Sequence, residues 1–350
     1  MAENENLSPH FFEGVEKLLE VWFETPENNQ NADLRKIPRQ MWDALLKTVK
    51  CEIISFSRND HIDAYVLSES SMFVSKRRWI LKTCGTTTPL QCLEPMLAMA
   101  EKIGFHDVGD LFYSRKNFKR PDLQISPHRG FEEEVALLDS LFEDGQAYCL
   151  GSINRECWYL YTLARGSGRD HRIQRCIDEM NNFTEPDQTI EILMTELDPQ
   201  KMSIFTKIEC DNAAEATEKA GIHKLIPGMV IDDYLFDPCG YSMNGIAKNT
   251  GCYMTIHITP EPDFSYVSFE SNVSSSNYTE LIERVIKTFQ PGKFVITIFA
   301  NKTSSASNAF REIDHATRLG QCGQWKRRDI QYTRFPSYDL TYAHYSKFPS

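Results

Sequence analysis

Apolar residues in this chain recur with two different periods. Alternation with a period of two marks strands at 64–67, 72–74, 79–81, 147–150 and 157–161, and again at 189–197, 253–258, 264–269 and 294–299. Spacings of three and four mark helices at 39–49, 89–103, 130–142 and 278–289. Several strands follow one another with only turn residues between, which predicts largely antiparallel sheets. The stretches 72–118 and 253–299 share the order strand, strand, helix, strand, which predicts two similar halves packed together. Between them, 164–185 carries Gly166, Gly168 and many charges with little periodicity, and reads as a long inter-half loop.

Near the N-terminus a helix is predicted to start at Ser8-Pro9. Phe11, Val15, Leu18, Leu19 and Trp22 fall on one face, while Glu13, Glu16, Lys17 and Glu20, three or four apart, fall on the other. That charged stripe is either a solvated face steadied by a Glu13–Lys17 pair or the acidic wall of a site.

Charge and composition narrow the classes. The 350 residues hold 38 Lys+Arg against 49 Asp+Glu, a formal net charge of −11, which argues against binding a phosphate backbone and points weakly to cationic partners. A hydrophobic content of 41% is ordinary for a globular chain. No apolar run approaches the ~18 residues of a membrane span. Residues 1–9 are polar and acidic, unlike a secretory signal, so a cytoplasmic location with reduced cysteines is expected. The ten cysteines include no C-x-x-C pair, so no zinc or other metal site is expected. Neither a G-x-x-x-x-G-K-[ST] loop nor a strand-borne G-x-G-x-x-G is present, which sets aside P-loop and Rossmann nucleotide binding.

Two segments carry chemistry. In the first, the polar knot Ser68-Glu69-Ser70-Ser71 separates two strand runs. It is either a hairpin turn or a self-reacting site, since the Ser70 hydroxyl can reach the preceding Glu69 carbonyl through a five-membered ring. Such an attack needs a strained backbone, a proton acceptor and oxyanion donors. The second segment runs Phe236-Asp-Pro-Cys239-Gly-Tyr-Ser242-Met-Asn-Gly, then Ile256-His257-Ile258-Thr-Pro-Glu261. Here 240–245 reads as a Gly/Asn-rich turn, and His257 either as a core histidine or as a base.

The strings Leu-Ser-Glu-Ser-Ser-Met-Phe-Val and Cys-Gly-Tyr-Ser-Met-Asn-Gly, with Phe11-Phe12-Glu13-Gly14 and Lys82-Thr-Cys84-Gly-Thr, closely resemble the eukaryotic S-adenosylmethionine decarboxylase family, pyruvoyl enzymes of polyamine synthesis. The resemblance runs from about residue 9 to about residue 300, and more loosely to Tyr338. It implies a four-layer α/β/β/α sandwich, an α+β fold of two large antiparallel sheets with helices outside. It also implies one domain over residues 1–350, self-cleaved into 1–69 and 70–350.

By the same resemblance the Glu69–Ser70 bond is cut by internal serinolysis, and Ser70 becomes a covalent pyruvoyl group. His257 would remove the Ser70 α-proton and Ser242 would support processing by hydrogen bonding near the oxyoxazolidine intermediate, while Glu13 and Glu16 would be catalytic-site acids. The pyruvoyl carbonyl would take S-adenosylmethionine as an imine, with Cys84 as proton donor. Phe12 and Phe236 would stack on adenine, Glu261 would bind the ribose hydroxyls, and Leu67 and Glu69 would edge the pocket.

Animal members are activated by putrescine. The matching positions are Asp187, Thr189, Glu191, Glu20, Glu16, Lys17, Lys82, Glu270, Phe112, Ser114, Arg115, Phe299 and Tyr338. The resemblance also implies a homodimer of cleaved protomers, with no nucleic-acid or membrane partner. Two other readings stand beside it: an inactive member that activates a partner, and a polyamine sensor.

Overall fold

In the computed structural model, residues 11–24, 26, 29, 31–163, 185–335 and 337–348 are described. The predicted helix start at Ser8-Pro9, Cys176, and all but the last residue of the 164–185 loop lie outside them.

The first half contributes β1 (Lys17–Phe23), β2 (Ile53–Arg58), β3 (Ile62–Leu67), β4 (Ser70–Ser75), β5 (Arg78–Thr83), β6 (Val108–Lys116), β7 (Gly145–Gly151) and β8 (Cys157–Leu163). They form one antiparallel sheet in the order β2-β3-β4-β5-β1-β6-β8-β7. The second half contributes β9 (Gln188–Thr195), β10 (Met229–Leu235), β11 (Tyr241–Ala247), β12 (Tyr253–Thr259), β13 (Tyr266–Ser271), β14 (Lys293–Asn301), β15 (Arg318–Leu319), β16 (Trp325–Arg334) and β17 (Tyr338–Lys347). Their order, β10-β11-β12-β13-β9-β14-β17-β16-β15, repeats the first sheet strand for strand and adds β15 at the edge. The two similar halves predicted from the order of elements are therefore present.

Helices α1 (Arg39–Thr48), α2 (Leu93–Lys102) and α3 (Phe131–Leu141) cover the outside of the first sheet. Helices α4 (Ala213–Ala220), α5 (Thr279–Phe289) and α6 (Ala309–His315) cover the outside of the second. On α5, Ile282, Val285, Ile286 and Phe289 recur at three- and four-residue spacing and are all buried against the sheet. The sheets face each other across smaller apolar clusters built from both halves. This is the four-layer α+β sandwich.

Strand alternation explains how polar groups reach the middle layer. On β12, Met254, Ile256 and Ile258 enter the helix-side core, which turns Tyr253, Thr255 and His257 toward the other sheet. On β9, Ile190, Ile192 and Met194 do the same and leave Glu191 facing inward.

Two predictions are corrected. Residues 17–23 are the central strand β1, not part of a helix, and residues 11–16 are irregular. Pairing to β5 and β6 on both sides overrides the helical spacing: Leu19, Val21 and Phe23 go to one core while Glu20 faces the other sheet. Likewise 241–245 is not a turn but part of β11, held between β10 and β12. Its Gly245 packs closely against the neighbouring strand, where a Cβ would stand 3.2 Å from Met229 Cβ.

Candidate active site

The turn between β3 and β4 is two residues long, Ser68-Glu69, closed by the Leu67–Ser70 pair. Tight hairpins favour Gly or Asn in the turn, and this one has neither. The strain emerges at Ser70, whose φ of 125° lies in the region that L-residues avoid. Ser70 is buried, and its Oγ donates to Glu16 Oε1 at 2.7 Å. The Glu69 carbonyl accepts from Cys84 N at 3.1 Å, with Cys84 Sγ at 3.6 Å. Thus the bond between Glu69 and Ser70 has a strained residue, a proton acceptor and two oxyanion donors around it.

Facing this hairpin is a row of side chains from the second sheet. Register aligns Ser242 on β11, His257 on β12 and Ser268 on β13. His257 Nδ1 lies 2.9 Å from Ser242 Oγ, and its Nε2 lies 2.9 Å from Thr255 Oγ1 and 3.1 Å from Ser71 Oγ. Ser71 also donates to Asn244 Oδ1 at 2.7 Å. Burial pushes His257 down to about 4, against the opposing pull of Glu16 at 3.7 Å, so the imidazole is neutral and able to accept a proton. For Glu16, burial raises the carboxyl, but the Lys82 charge, with hydrogen bonds from Ser268 and Ser70, outweighs it and holds it ionised. Burial, followed by the charges of Glu69 and Glu16, raises the Cys84 thiol well above its ordinary range, so it keeps its proton.

These groups close the floor of a cleft of about 240 Å³. Phe12 and Phe236 line it, and so does Glu261, whose Oε2 is buried without a hydrogen-bond partner among the described residues.

A second, narrower cavity of about 30 Å³ lies deeper between the sheets. Glu20, Phe112, Ser114, Asp187, Thr189, Glu191, Glu270, Phe299 and Tyr338 line it. Lys82 sits between the two cavities. Its Nζ lies 3.5 Å from Glu16, 3.1 Å from Glu191 and 2.7 Å from Glu270, and these three carboxylates raise it despite complete burial. At the far end Arg78 pairs with Glu20 at 2.8 Å and Asp187 at 3.6 Å, and Tyr338 donates to Asp187 at 3.0 Å. Glu191 is raised to about 7, chiefly by burial and then by Glu270 and Glu16.

The fold and both cavities invite comparison with known proteins. The sequence pattern described as adenosylmethionine decarboxylase matches residues 9–346. An S-adenosylmethionine decarboxylase proenzyme of Drosophila melanogaster is 60% identical over 348 residues, covering 99% of this chain and 97% of the relative. The proenzyme of Xenopus laevis is 49% identical over 349 residues, covering 98% and 97%. The chain belongs to the adenosylmethionine decarboxylase family. The crystal structure of the Trypanosoma brucei AdoMetDC-delta26 monomer aligns with a TM-score of 0.57 at 24% identity, over 79% of this chain and 98% of that one, and supports the fold.

Set against the residues that family resemblance singles out, the geometry divides them. Phe12, Glu69, Ser70, Cys84, Phe236, Ser242, His257 and Glu261 meet at the cleft, with Glu16 hydrogen-bonded to Ser70 at its floor. Leu67 points into the helix-side core. The Glu13 carboxylate turns away and accepts from Lys119 N and Arg120 N, at 2.9 and 3.0 Å; its backbone carbonyl accepts from Gly85 N at 2.8 Å. Lys17 and Arg115 lie across the first sheet from the second cavity. There Lys17 donates to the Gly85 carbonyl at 2.9 Å and Arg115 pairs with Glu134 at 2.8 Å. Ser71, Asn244 and Thr255 were not singled out, although each adjoins a residue that was: next to Ser70, two beyond Ser242, two before His257. Strand alternation places the last two on the same face as their neighbours. Among the described residues no helix is long and apolar enough to cross a membrane.

Proposed function

We propose that the chain is one domain that cuts itself between Glu69 and Ser70 and then decarboxylates S-adenosylmethionine in the cleft this opens. The observation that carries the reading is the strained Ser70 with Glu16 on its hydroxyl and Cys84 on the Glu69 carbonyl. Ser70 Oγ attacks the Glu69 carbonyl carbon while its proton passes to Glu16, and Cys84 N–H and S–H steady the oxyanion. The peptide C–N bond then breaks, its nitrogen takes up the proton, and an ester joins the two chains. Neutral His257, held by Ser242, removes the Ser70 α-proton; the Cβ–Oγ bond breaks and the Glu69 carboxylate departs. Water replaces the remaining nitrogen as ammonia, leaving a pyruvoyl end on residues 70–350.

The buried, polar-lined position of Ser70 fits such a group, which supplies the carbonyl electron sink that decarboxylation needs. Phe12 and Phe236 offer ring faces for adenine and the neighbouring sulfonium. The orphaned Glu261 Oε2 suits a ribose hydroxyl. Cys84, kept protonated, returns a proton to carbon after carbon dioxide leaves.

The second cavity is the seat of a diamine activator, putrescine. Four carboxylates line it, Glu20, Asp187, Glu191 and Glu270, and among the described residues they pair with only two cations, Arg78 and Lys82. A diamine would supply the missing charge, with Phe112 and Phe299 along its stem. The present space holds only a water or two, so the diamine enters by spreading those rings. Lys82 and Glu16 would relay its presence to Ser70.

Intact-mass measurement of the purified protein tests the central claim. We expect two chains, 1–69 and 70–350, the larger with a blocked N-terminus, and a single chain in Ser70→Ala. A parent chain that stays uncut on prolonged incubation would overturn the claim and leave the partner-activating or polyamine-sensing readings.

A further inference from the structure

Phe236 stands at the end of a loop whose backbone is fixed from several sides. Phe236 N donates to the Gly240 carbonyl at 2.9 Å, Gly240 N to the Phe205 carbonyl at 3.0 Å, and Lys207 N to the Pro238 carbonyl at 2.9 Å. The ring itself is only partly buried and forms a wall of the cleft. Its other neighbour is Tyr234, whose ring meets it nearly edge to face, with centroids 4.8 Å apart and planes at 73°. Tyr234 is 40% exposed on the edge strand β10. Register continues from it through Ser242, His257 and Ser268, so Tyr234 is also the solvent-side end of the row that carries the base.

We propose that Tyr234 is a positioning residue for the adenosine part of the substrate: it braces the Phe236 ring so that one face stays presented to the cleft. This rests on the reading of Phe236 as a stacking wall. Without the brace, the Phe236 side chain would be free to leave that orientation, and binding would have to order it again. An edge-to-face pair of this kind corresponds to about a two- to tenfold change in affinity. Since the brace acts before chemistry begins, the loss falls on binding and not on turnover.

The test uses self-cleaved protein carrying Tyr234→Ala, Tyr234→Phe or Phe236→Ala, with 5′-methylthioadenosine as a probe of adenosine binding alone. We expect Tyr234→Ala to raise both KM for S-adenosylmethionine and Ki for the probe about two- to tenfold. Its kcat and its rate of self-cleavage should stay at parental values, and Tyr234→Phe should restore both constants. Tyr234→Thr, which puts a β-branched residue suited to a strand in its place, gives the same readout if the alanine protein folds poorly. Parental KM and Ki in Tyr234→Ala, with raised values in Phe236→Ala, would overturn the brace while sparing the stacking wall. Parental values in Phe236→Ala would overturn the stacking wall itself. A fall in kcat at unchanged Ki would place Tyr234 with the Ser242–His257 row and overturn the inference as well.

Discussion

The turn between β3 and β4 and the turn between β11 and β12 occupy the same place in the two sheets, yet they are built differently. The first has two residues and forces Ser70 to a φ of 125°. The second has five, 248–252, and none of residues 247–253 has a positive φ. Both hairpins run between the same strands of a repeated topology. What differs is that the short turn loads strain onto one peptide, while the long turn relaxes and leaves the chemistry to the strands beside it. The second half contributes Ser242 and His257 from strand interiors, where register alone fixes them. The repeat supplies the frame, and turn length decides which half carries the strain.

The sharpest way to break this comparison is to give the first hairpin the turn length of the second. Insertion of three glycines between Ser68 and Glu69 should slow self-cleavage at least about 100-fold. A strained φ stores about 1–3 kcal/mol, and the insertion also loosens the approach of Ser70 Oγ to its carbonyl. Cleavage followed by gel densitometry, with thermal melting to confirm the fold, gives the answer; a parental rate would show that neither strain nor alignment matters.

How much of this was readable in the sequence depends on the residue. The repeated order of strand, strand, helix, strand was visible because α2 and α5 carry strong three-four spacing between period-two runs. The inward layer was harder to read. On β12 the alternation Thr255-Ile256-His257-Ile258 reads the same whether the polar side meets water or another sheet, so burial of His257 could not be told from pattern. The β1 stripe misled for a related reason. Lys17 and Glu20, three apart, share a face in a helix but fall on opposite faces once the segment pairs as a strand, while Glu13 and Glu16 precede that strand in irregular backbone. Arg115 shows the same limit, since only register turns it from the second cavity toward Glu134.

A second comparison sets the two ends of the inner cavity against each other. Lys82 is fully buried among three carboxylates, whereas Tyr338 makes one hydrogen bond to Asp187. Lys82→Met should therefore cost about 3–5 kcal/mol, because it strands buried carboxylates. Tyr338→Phe should cost only about 0.5–1.5 kcal/mol. Urea unfolding of uncut protein in a Ser70→Ala background checks both. Equal losses would mean that the Lys82 cluster already resembles the looser far end, and adding Glu270→Gln to Lys82→Met should recover part of the larger loss.

The smallest effect concerns pH. Burial and neighbouring carboxylates raise Glu191 to about 7, so near neutrality part of the population holds a proton there. A bound diamine, doubly charged at this pH, favours the ionised carboxylate and must drive that proton off. Above pH 7 the carboxylate is already ionised and affinity is flat; below it, the proton competes and the apparent Kd weakens by up to about tenfold per pH unit. His257, lowered to about 4, is neutral throughout that range and adds no slope. Titration calorimetry with putrescine in two buffers of different ionisation enthalpy should show up to about one proton released per diamine at pH 6, falling towards zero at pH 8. Proton uptake, or a Kd that tightens on acidification, would show that the carboxylates of the inner cavity do not carry the diamine charge.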